Sequence, residues 1–226
     1  MEVVCITSKR RVSYIASTLS SYRTNCDELP RPKVYCEPGS RIFRGQGEYE
    51  LISDLRRVRS GRVWGLAKVW CNVLLHATDD VLIFEDDVYW QYGSGRQFYS
   101  QICKAPNHLI SAYTAYPNGF PFGGWHMFDS PIGLCGSMAM YVPRRLQEPL
   151  IRYILTRSTT WALDAHIGDF AMSCDEPLWL HTPTLVLHMG RDSKHVPFGD
   201  GAISSPNRAP CLMPLSFNGP LFVQKD

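Results

Sequence analysis

The sequence predicts a single α/β domain in which a mostly parallel central sheet is flanked by helices. Short apolar runs of strand length alternate with segments whose apolar residues recur at helical spacing, a pattern typical of parallel sheets. The chain has 226 residues, of which 45% are hydrophobic and 19% charged. This length allows one substantial core over residues 1–226, and the composition excludes disordered, collagen-like and coiled-coil proteins.

The first elements already show the alternation. Residues 3–6 (Val-Val-Cys-Ile) form a short apolar run that ends in a polar loop, and they predict a buried first strand. Residues 14–22 carry apolar side chains at helical spacing and predict an amphipathic helix. Residues 33–36, followed by Glu-Pro-Gly, predict a second strand that is closed by a turn.

The middle of the chain is the most informative part. Residues 65–77 predict a helix, and Thr-Asp-Asp at 78–80 interrupts it. Residues 81–84 (Val-Leu-Ile-Phe) predict a continuous apolar strand that leads directly into Glu85, Asp86 and Asp87. Residues 116–136 lack periodicity and are rich in glycine, proline and aromatic residues, so we expect a long binding loop there.

The remaining segments complete the predicted sheet. Residues 137–142 predict a strand and residues 146–155 a helix, and a last strand at 184–187 ends at His188. Residues 201–226 are rich in proline and glycine, which predicts a C-terminal tail that lies over the surface or over the site.

Cysteine spacing and hydropathy predict the cellular compartment of the protein. The eight cysteines are spread evenly without a Cys-x-x-Cys pair, so we expect reduced, mostly structural thiols instead of a disulfide framework or a structural zinc site. No apolar run approaches the roughly 20 residues that a membrane-spanning helix needs. The N-terminus lacks the basic-then-apolar order of a secretory signal. We therefore expect a cytoplasmic protein, in the host cytoplasm if the chain is viral.

Positive charge is concentrated in the first third of the chain. Residues 1–70 contain 13 Lys and Arg against 7 Asp and Glu, although the formal net charge of the whole chain is only +2. A basic patch of this kind suits the phosphate groups of a nucleotide or of a nucleic acid. A solvated helix face explains the arginine run at 56–62 equally well.

Three consecutive carboxylates at the end of a buried strand are the sharpest feature of the sequence. Ligands of open α/β sheets bind outside the carboxyl ends of the strands, which is where Glu85, Asp86 and Asp87 must lie. Three adjacent negative charges repel one another unless a cation or hydrogen-bond donors compensate. Carboxylate oxygens suit Mg²⁺ or Mn²⁺, and such an ion can also bridge phosphates. The plainer alternative is a solvated turn or a helix cap.

These residues carry a resemblance to a known family. Leu-Ile-Phe-Glu-Asp-Asp at 82–87 resembles the acidic metal-binding motif of GT-A fold glycosyltransferases, in its Glu-Asp-Asp form. The first strand with its Thr-Ser-Lys-Arg-Arg loop is similar to that family's nucleotide-binding start. Residues 61–68 (Gly-Arg-Val-Trp-Gly-Leu-Ala-Lys) are similar to bacterial lipooligosaccharide and collagen-type sugar transferases. Residues 136–143 and 183–193 resemble the later Gly-x-x-x-Tyr and His-x-Gly-x-x-Ser segments of such enzymes.

The resemblance implies a GT-A-like domain with a donor site in about residues 1–90 and an acceptor site in about residues 91–200. The metal, Mn or Mg, is expected on Asp87 and His188. A UDP-sugar is the favoured nucleotide-sugar donor. Its expected contacts come from the first-strand loop, the helix before the acidic strand, the acidic triplet and the segment after His188, namely Thr7, Ser8, Arg11, Lys68, Glu85, Asp86, Arg191 and Lys194.

An inverting transferase also needs a general base for the acceptor hydroxyl. The family pattern places an acid near the start of a late helix, and the segment at 159–169 offers Asp164 first and Asp169 second. In a retaining enzyme neither residue acts as that base, and the sequence leaves the stereochemistry open.

The acceptor is the least determined part of the prediction. Aromatic side chains between 116 and 128, among them Trp125 and Phe128, suit stacking on sugar rings or on nucleobases. The chain looks like the small bacteriophage enzymes that modify DNA by adding sugars to hydroxymethylated pyrimidines, so hydroxymethylated DNA is the expected acceptor. A glycan or lipooligosaccharide is the first alternative.

Two functions from other classes also fit the acidic triplet. A metal-dependent nuclease or phosphohydrolase gathers carboxylates around Mg²⁺, and Asp164 and Asp169 are the acids available for a second ion. A catalytically silent sugar-binding protein on the same fold is the other possibility. Mn²⁺-dependent release of intact nucleoside diphosphate distinguishes a transferase from a nuclease.

Overall fold

The computed structural model describes residues 1–7, 14–36, 50–52, 65–114, 123–129, 134, 136–156 and 163–189. Within these ranges the chain forms an eight-stranded sheet, a two-stranded sheet and five helices. The strands are β1 (Glu2–Thr7), β2 (Lys33–Cys36), β3 (Glu50–Ile52), β4 (Val81–Glu85), β5 (Val88–Trp90), β6 (Leu109–Ser111), β7 (Gly124–Met127), β8 (Ala139–Val142), β9 (Leu178–Thr182) and β10 (Val186–His188). The helices are α1 (Ile15–Asn25), α2 (Gly65–His76), α3 (Ser94–Lys104), α4 (Arg144–Thr156) and α5 (Leu163–Ser173).

The large sheet has the strand order β3-β2-β1-β4-β8-β6-β9-β7. Strands β3, β2, β1 and β4 are parallel, β8 runs antiparallel to both of its neighbours, β9 is parallel to β6, and β7 is antiparallel to β9. Among the described strands of the large sheet, only β8 and β7 therefore run opposite to the common strand direction. The predicted α/β class with a mostly parallel sheet is confirmed.

Helices cover both faces of this sheet. Successive residues of a strand point to opposite faces, and β1 divides in this way: Val3 and Cys5 join the core beneath α1 and α3, whereas Val4 and Ile6 join the core beneath α2, α4 and α5. Residues of β4 divide between the same two cores. Because both of its faces are buried, β4 reads as an unbroken apolar run in the sequence.

The structure confirms most of the predicted elements and corrects one. Strands β1, β2, β4, β8 and β10 and helices α1, α2 and α4 lie where the sequence predicts them, and no end is shifted by more than three residues. The loop predicted at 116–136 is wrong in part, because residues 124–127 form β7 and pair with β9. Strands β3, β5, β6 and β9 and helix α3 were not predicted. The predicted tail at 201–226 lies outside the described residues.

Candidate functional site

The candidate site lies where the strand order of the large sheet reverses. Strand β1 has β2 on one side and β4 on the other, so successive crossovers leave β1 in opposite directions. The carboxyl ends of β1 and β4 lie side by side there, with Ile6 opposite Glu85. In open α/β sheets a crevice forms at such a point and binds ligands.

Thr7 is the last residue of β1 and reaches this crevice. Its side chain is 7% exposed, and its Oγ1 has no hydrogen-bond partner among the described residues. A buried hydroxyl without a partner is costly, so such a group is an expected contact for a bound ligand. The other predicted donor contacts of this loop, Ser8 and Arg11, lie outside the described residues.

The acidic triplet continues β4 into a tight turn. Glu85 is the last residue of β4 and is partly buried, and Asp86 and Asp87 form the turn to β5. Asp86 is 3% exposed and Asp87 fully buried. The sequence thus predicts the position of the triplet correctly, but a solvated turn is excluded because both aspartates are buried.

The small sheet brings His188 to Asp87 across 101 positions of the sequence. Strand β10 pairs antiparallel with β5, with His188 opposite Val88. The imidazole Nε2 of His188 lies 2.9 Å from Oδ2 of Asp87, and the backbone N–H of Met189 donates to the Asp87 carbonyl at 2.7 Å. The two residues on which the sequence predicted a metal ion are therefore in direct contact.

The contact between Asp87 and His188 is a hydrogen bond, and its length is also compatible with two neighbouring ligands of a divalent cation. Neighbouring ligands of an octahedral ion at about 2.1 Å lie about 3 Å apart, and the Asp87–His188 separation is 2.9 Å. A carboxylate oxygen and an imidazole nitrogen both suit Mn²⁺. Among the described residues, no group of three or more His, Cys, Asp or Glu side chains could hold a metal ion. Phosphate oxygens and water are the natural ligands for the other positions.

Asp164 lies at the start of α5 and reaches the same edge of the sheet. Its carboxylate accepts the backbone N–H of Gly136 at 2.7 Å and that of Ala165 at 2.9 Å. Gly136 and Met138 lie just before β8. The N–H of Glu85, at the end of β4, donates to the carbonyl of Met138 at 2.9 Å. The segment 136–138 thus links Asp164 to the end of β4.

The surroundings of Asp164 change its acidity. Burial raises the pKa of this carboxyl above its usual value. The backbone N–H groups of Gly136 and Ala165 and the charge of His166 act in the opposite direction without cancelling the effect of burial. A carboxylate whose pKa is raised is a better proton acceptor than an exposed one.

Asp169, the second predicted base, is placed elsewhere. It lies five residues further along α5, about 7.5 Å at the rise of an α-helix. Its carboxylate accepts a hydrogen bond from the Tyr153 hydroxyl of α4, and the Ser173 hydroxyl lies 3.3 Å away. Asp169 therefore belongs to the packing of α4 on α5, and this placement does not support a catalytic role.

Lys68 has a placement compatible with its predicted role. It lies in the first turn of α2 and is partly buried. Helix α2 ends close to the amino end of β4, so its first turn points toward the carboxyl edge of the sheet. Arg191 and Lys194, which the sequence predicts to close over the donor, lie outside the described residues.

The predicted acceptor aromatics lie far from the acidic turn. Phe128 is 7% exposed and packs in the core beneath α2, α4 and α5, so the predicted stacking on an acceptor is not supported for this residue. Trp125 is partly buried, with its ring centroid 5.0 Å from that of His181 and 6.2 Å from that of Phe98. It belongs to β7, four strands from β4, which corresponds to about 19 Å at the usual strand spacing.

Sequence reasoning missed three polar residues of α1 that hold the acidic turn and β5. The Thr18 hydroxyl donates to the Asp86 carbonyl at 2.7 Å, the Ser21 hydroxyl accepts the N–H of Trp90 at 3.1 Å, and the Asn25 amide donates to the Trp90 carbonyl at 2.9 Å. Their spacing of three and four residues puts all three on one helix face. The sequence signal that could have identified these three residues is the presence of polar side chains on a helix face that also carries Leu19 and Tyr22.

Two comparisons with known proteins give no match, so inferences about function depend on the geometry of the site. No model of a known protein family matches the chain, and no curated protein is significantly similar to it in sequence. None of the helices in the described part of the chain combines the length and the apolar character needed to cross a membrane.

Proposed function

We propose that the protein is a metal-dependent glycosyltransferase that moves a sugar from a nucleotide-sugar donor to an acceptor hydroxyl. The observation that supports this most is the contact between Asp87 and His188 at the carboxyl edge of the sheet, where the strand order reverses. A buried acid and an imidazole at a phosphate-binding position suit an Mn²⁺ or Mg²⁺ ion that meets a diphosphate.

The donor lies in the crevice between β1 and β4 in this proposal. Asp87 and His188 would hold the Mn²⁺ or Mg²⁺ ion, which would supply positive charge to stabilise the leaving diphosphate. Thr7 supplies its buried hydroxyl to the nucleoside, and Glu85 lies at the rim of the crevice, where it can meet the ribose. Lys68 contacts the diphosphate from the first turn of α2. Ser8, Arg11, Arg191 and Lys194 remain predicted donor contacts.

Asp164 is the proposed general base. Its position beside the end of β4 and its raised pKa favour acceptance of the proton from the acceptor hydroxyl as the glycosidic bond forms. This role requires an inverting reaction. In a retaining reaction Asp164 acts only by holding Gly136.

We propose hydroxymethylated pyrimidines in DNA as the acceptor and UDP-sugars as the donors. The excess of basic residues in the first 70 positions supports a polyanionic acceptor. A glycan acceptor is the second candidate, because the aromatic residues that the sequence offers for stacking suit sugar rings as well as nucleobases. The nuclease alternative loses support because Asp169, one of its two extra acids, contacts α4 instead.

A thermal-shift screen tests the proposal directly. The protein is heated with UDP-, GDP-, dTDP- or CMP-sugars, each with and without Mn²⁺. We expect one nucleotide class to raise the melting temperature, and only when the metal is present, because ligands that bind the folded state stabilise it. Stabilisation must disappear in Asp87→Ala. Asp164→Asn should keep donor binding and lose transfer. An Asp87→Ala variant that remains fully active with Mn²⁺ would contradict the metal assignment.

A further inference from the structure

Helix α1 contacts the turn that carries Asp86 and Asp87. The turn has two backbone carbonyls, and each accepts a hydrogen bond from a distant part of the chain. The carbonyl of Asp86 accepts the Thr18 hydroxyl at 2.7 Å, and that of Asp87 accepts the N–H of Met189 at 2.7 Å. Fixing both peptide planes also fixes the directions in which the two carboxylates leave the backbone.

Of these two contacts, only the one from Thr18 comes from a side chain. Thr18 is completely buried in the first turn of α1, and its hydroxyl donates to a residue 68 positions away. A threonine inside a helix commonly donates to the preceding turn of its own helix. The Thr18 hydroxyl instead leaves α1 and reaches the acidic turn.

Aromatic packing holds α1 in the position that this contact needs. The ring of Tyr22 stacks on that of Phe84 with centroids 5.1 Å apart and meets Trp90 edge-on at 5.6 Å. Phe84 lies in β4 and Trp90 in β5, so the Tyr22 ring contacts the strands on both sides of the turn. Thr18 lies four residues before Tyr22, one helical turn away on the same face. The helix is therefore rigidly placed against both strands.

We infer that Thr18 is a positioning residue for the metal and donor site: its hydroxyl holds the Asp86–Asp87 turn in the orientation that lets Asp87 and His188 bind one ion. This inference rests on the proposed function, because it needs a cation at Asp87. It adds a residue that touches neither the ion nor the donor. Outer groups that orient metal ligands typically change metal affinity 10- to 100-fold when they are removed, so about a tenfold loss is expected here.

Ser21 offers a control of matched burial on the same helix. Its side chain is 4% exposed and also makes a hydrogen bond from α1 to the β5 backbone, at Trp90 instead of Asp86. Ser21→Ala therefore removes a buried hydrogen bond to the β5 backbone, together with the bond that the Ser21 hydroxyl donates to the Thr18 carbonyl at 2.9 Å, and leaves the Thr18 hydroxyl in place. A general loosening of α1 affects both variants, whereas the hydrogen bond from the Thr18 hydroxyl to the Asp86 carbonyl is lost only in the Thr18 variant.

The test is an Mn²⁺ titration of the full chain, in which electron paramagnetic resonance measures the free ion. Thr18→Val should weaken Mn²⁺ binding about tenfold, Thr18→Ser should restore wild-type affinity, and Ser21→Ala should bind like wild type. Thr18→Ala repeats the measurement if valine prevents folding.

Each other outcome has a defined meaning. Unchanged affinity in Thr18→Val, or an equal loss in Ser21→Ala, would overturn the positioning role while leaving the metal site intact. A wild-type protein that binds no Mn²⁺ would instead contradict the metal-dependent function, and the positioning role with it.

Discussion

The two edges of the large sheet both carry acidic residues, but they use them differently. At the amino edge, the carboxylate of Asp80 accepts the Tyr141 hydroxyl at 2.9 Å and the backbone N–H of Arg144 at 2.8 Å. Arg144 also donates to the Ala77 carbonyl, and Gln147 donates to the Asp79 carbonyl. These contacts join the start of β4 to the start of α4. The amino edge is therefore a structural joint.

The carboxyl edge has a different arrangement of acidic residues. Three consecutive carboxylates lie at the end of β4, two of them buried, and the buried hydroxyl of Thr7 has no hydrogen-bond partner among the described residues. Such an arrangement costs stability unless a ligand or a cation completes it. The comparison teaches that an acid next to a strand end can serve as a joint between elements, as Asp80 does, or belong to a buried cluster of charges, as Asp86 and Asp87 do.

The largest expected effect comes from the buried acid of the carboxyl edge. Asp87→Asn should lower Mn²⁺ affinity at least about 100-fold, more than loss of an outer group does, yet leave the free energy of unfolding close to that of wild type. The amide keeps the shape of the side chain and removes one charge from the triplet. Titration with Mn²⁺ and chemical denaturation measure the two quantities. Equal losses of binding and stability would remove the distinction between the edges.

The next effect concerns the segment that joins Asp164 to β4. Gly136 has φ +87°, and a Cβ placed there would lie 2.2 Å from the ring of Tyr113. Gly136→Ala should lower the free energy of unfolding by about 3 kcal/mol, the sum of backbone strain and a steric clash. Gly93 is the matched control, since its φ is +70° and no atom lies within 4 Å of such a Cβ. Gly93→Ala should cost about 1 kcal/mol, for strain alone. Equal losses of unfolding free energy in the two variants would show that the segment around Gly136 moves to accommodate the added methyl group.

A somewhat smaller effect is expected at the amino edge. Asp80→Ala removes the acceptor for the first N–H of α4, which should cost about 2 kcal/mol of unfolding free energy. Mn²⁺ affinity should stay at the wild-type value. Asp129→Ala, at an exposed position, should change stability by less than about 0.5 kcal/mol. A loss of Mn²⁺ binding in Asp80→Ala would show that the two edges are coupled.

The smallest expected effect is a difference between the two edges in how the stability contributed by their acidic residues depends on pH. The pKa of Asp164 is raised by burial, so the folded state holds this proton more strongly than the unfolded state, and stability falls as pH rises from about 4 through the raised pKa. Burial alone would raise the pKa of Glu2 as well, but hydrogen bonds from Thr78 and Lys33 lower it. The stability that Glu2 contributes is therefore complete above about pH 4.5 and is lost as pH falls through the lowered pKa.

Denaturation between pH 3 and pH 7 measures both effects. Asp164→Asn should abolish the decline of stability above pH 4, whereas Glu2→Gln should abolish the decline on acidification. An Asp164→Asn variant with the wild-type pH profile would show that this carboxyl is not perturbed.

The sequence predicted β1, β2 and β4, three of the four strands in the parallel half of the sheet, because the relevant signals are local. An apolar run such as that of β4 is buried on both faces and is visible without knowledge of its neighbours. Strands β5, β6 and β7 are three or four residues long, and their pairing depends on partners distant in the sequence. Strand β7 pairs with β9 through Trp125 and His181, which are 56 positions apart. Short strands of this kind give little periodicity to detect.

The same distinction applies to the site. The position of Asp87 was predictable because it follows β4, and that of His188 because it follows an apolar run. The contact of Thr18 was not, because nothing near it in the sequence indicates that its hydroxyl reaches residue 86. Asp169 and Asp164 look alike in the sequence, and only the packing of α5 against α4 separates them.

The central claim is that Asp87 and His188 bind the same divalent ion. Pulsed electron paramagnetic resonance of the Mn²⁺-loaded protein tests it, because a directly bound imidazole nitrogen modulates the echo of the ion. We expect this nitrogen modulation in the wild-type protein and its loss in His188→Gln, with Mn²⁺ still bound more weakly through Asp87. Modulation that persists in His188→Gln, or that is absent from wild-type protein with bound Mn²⁺, would contradict the claim.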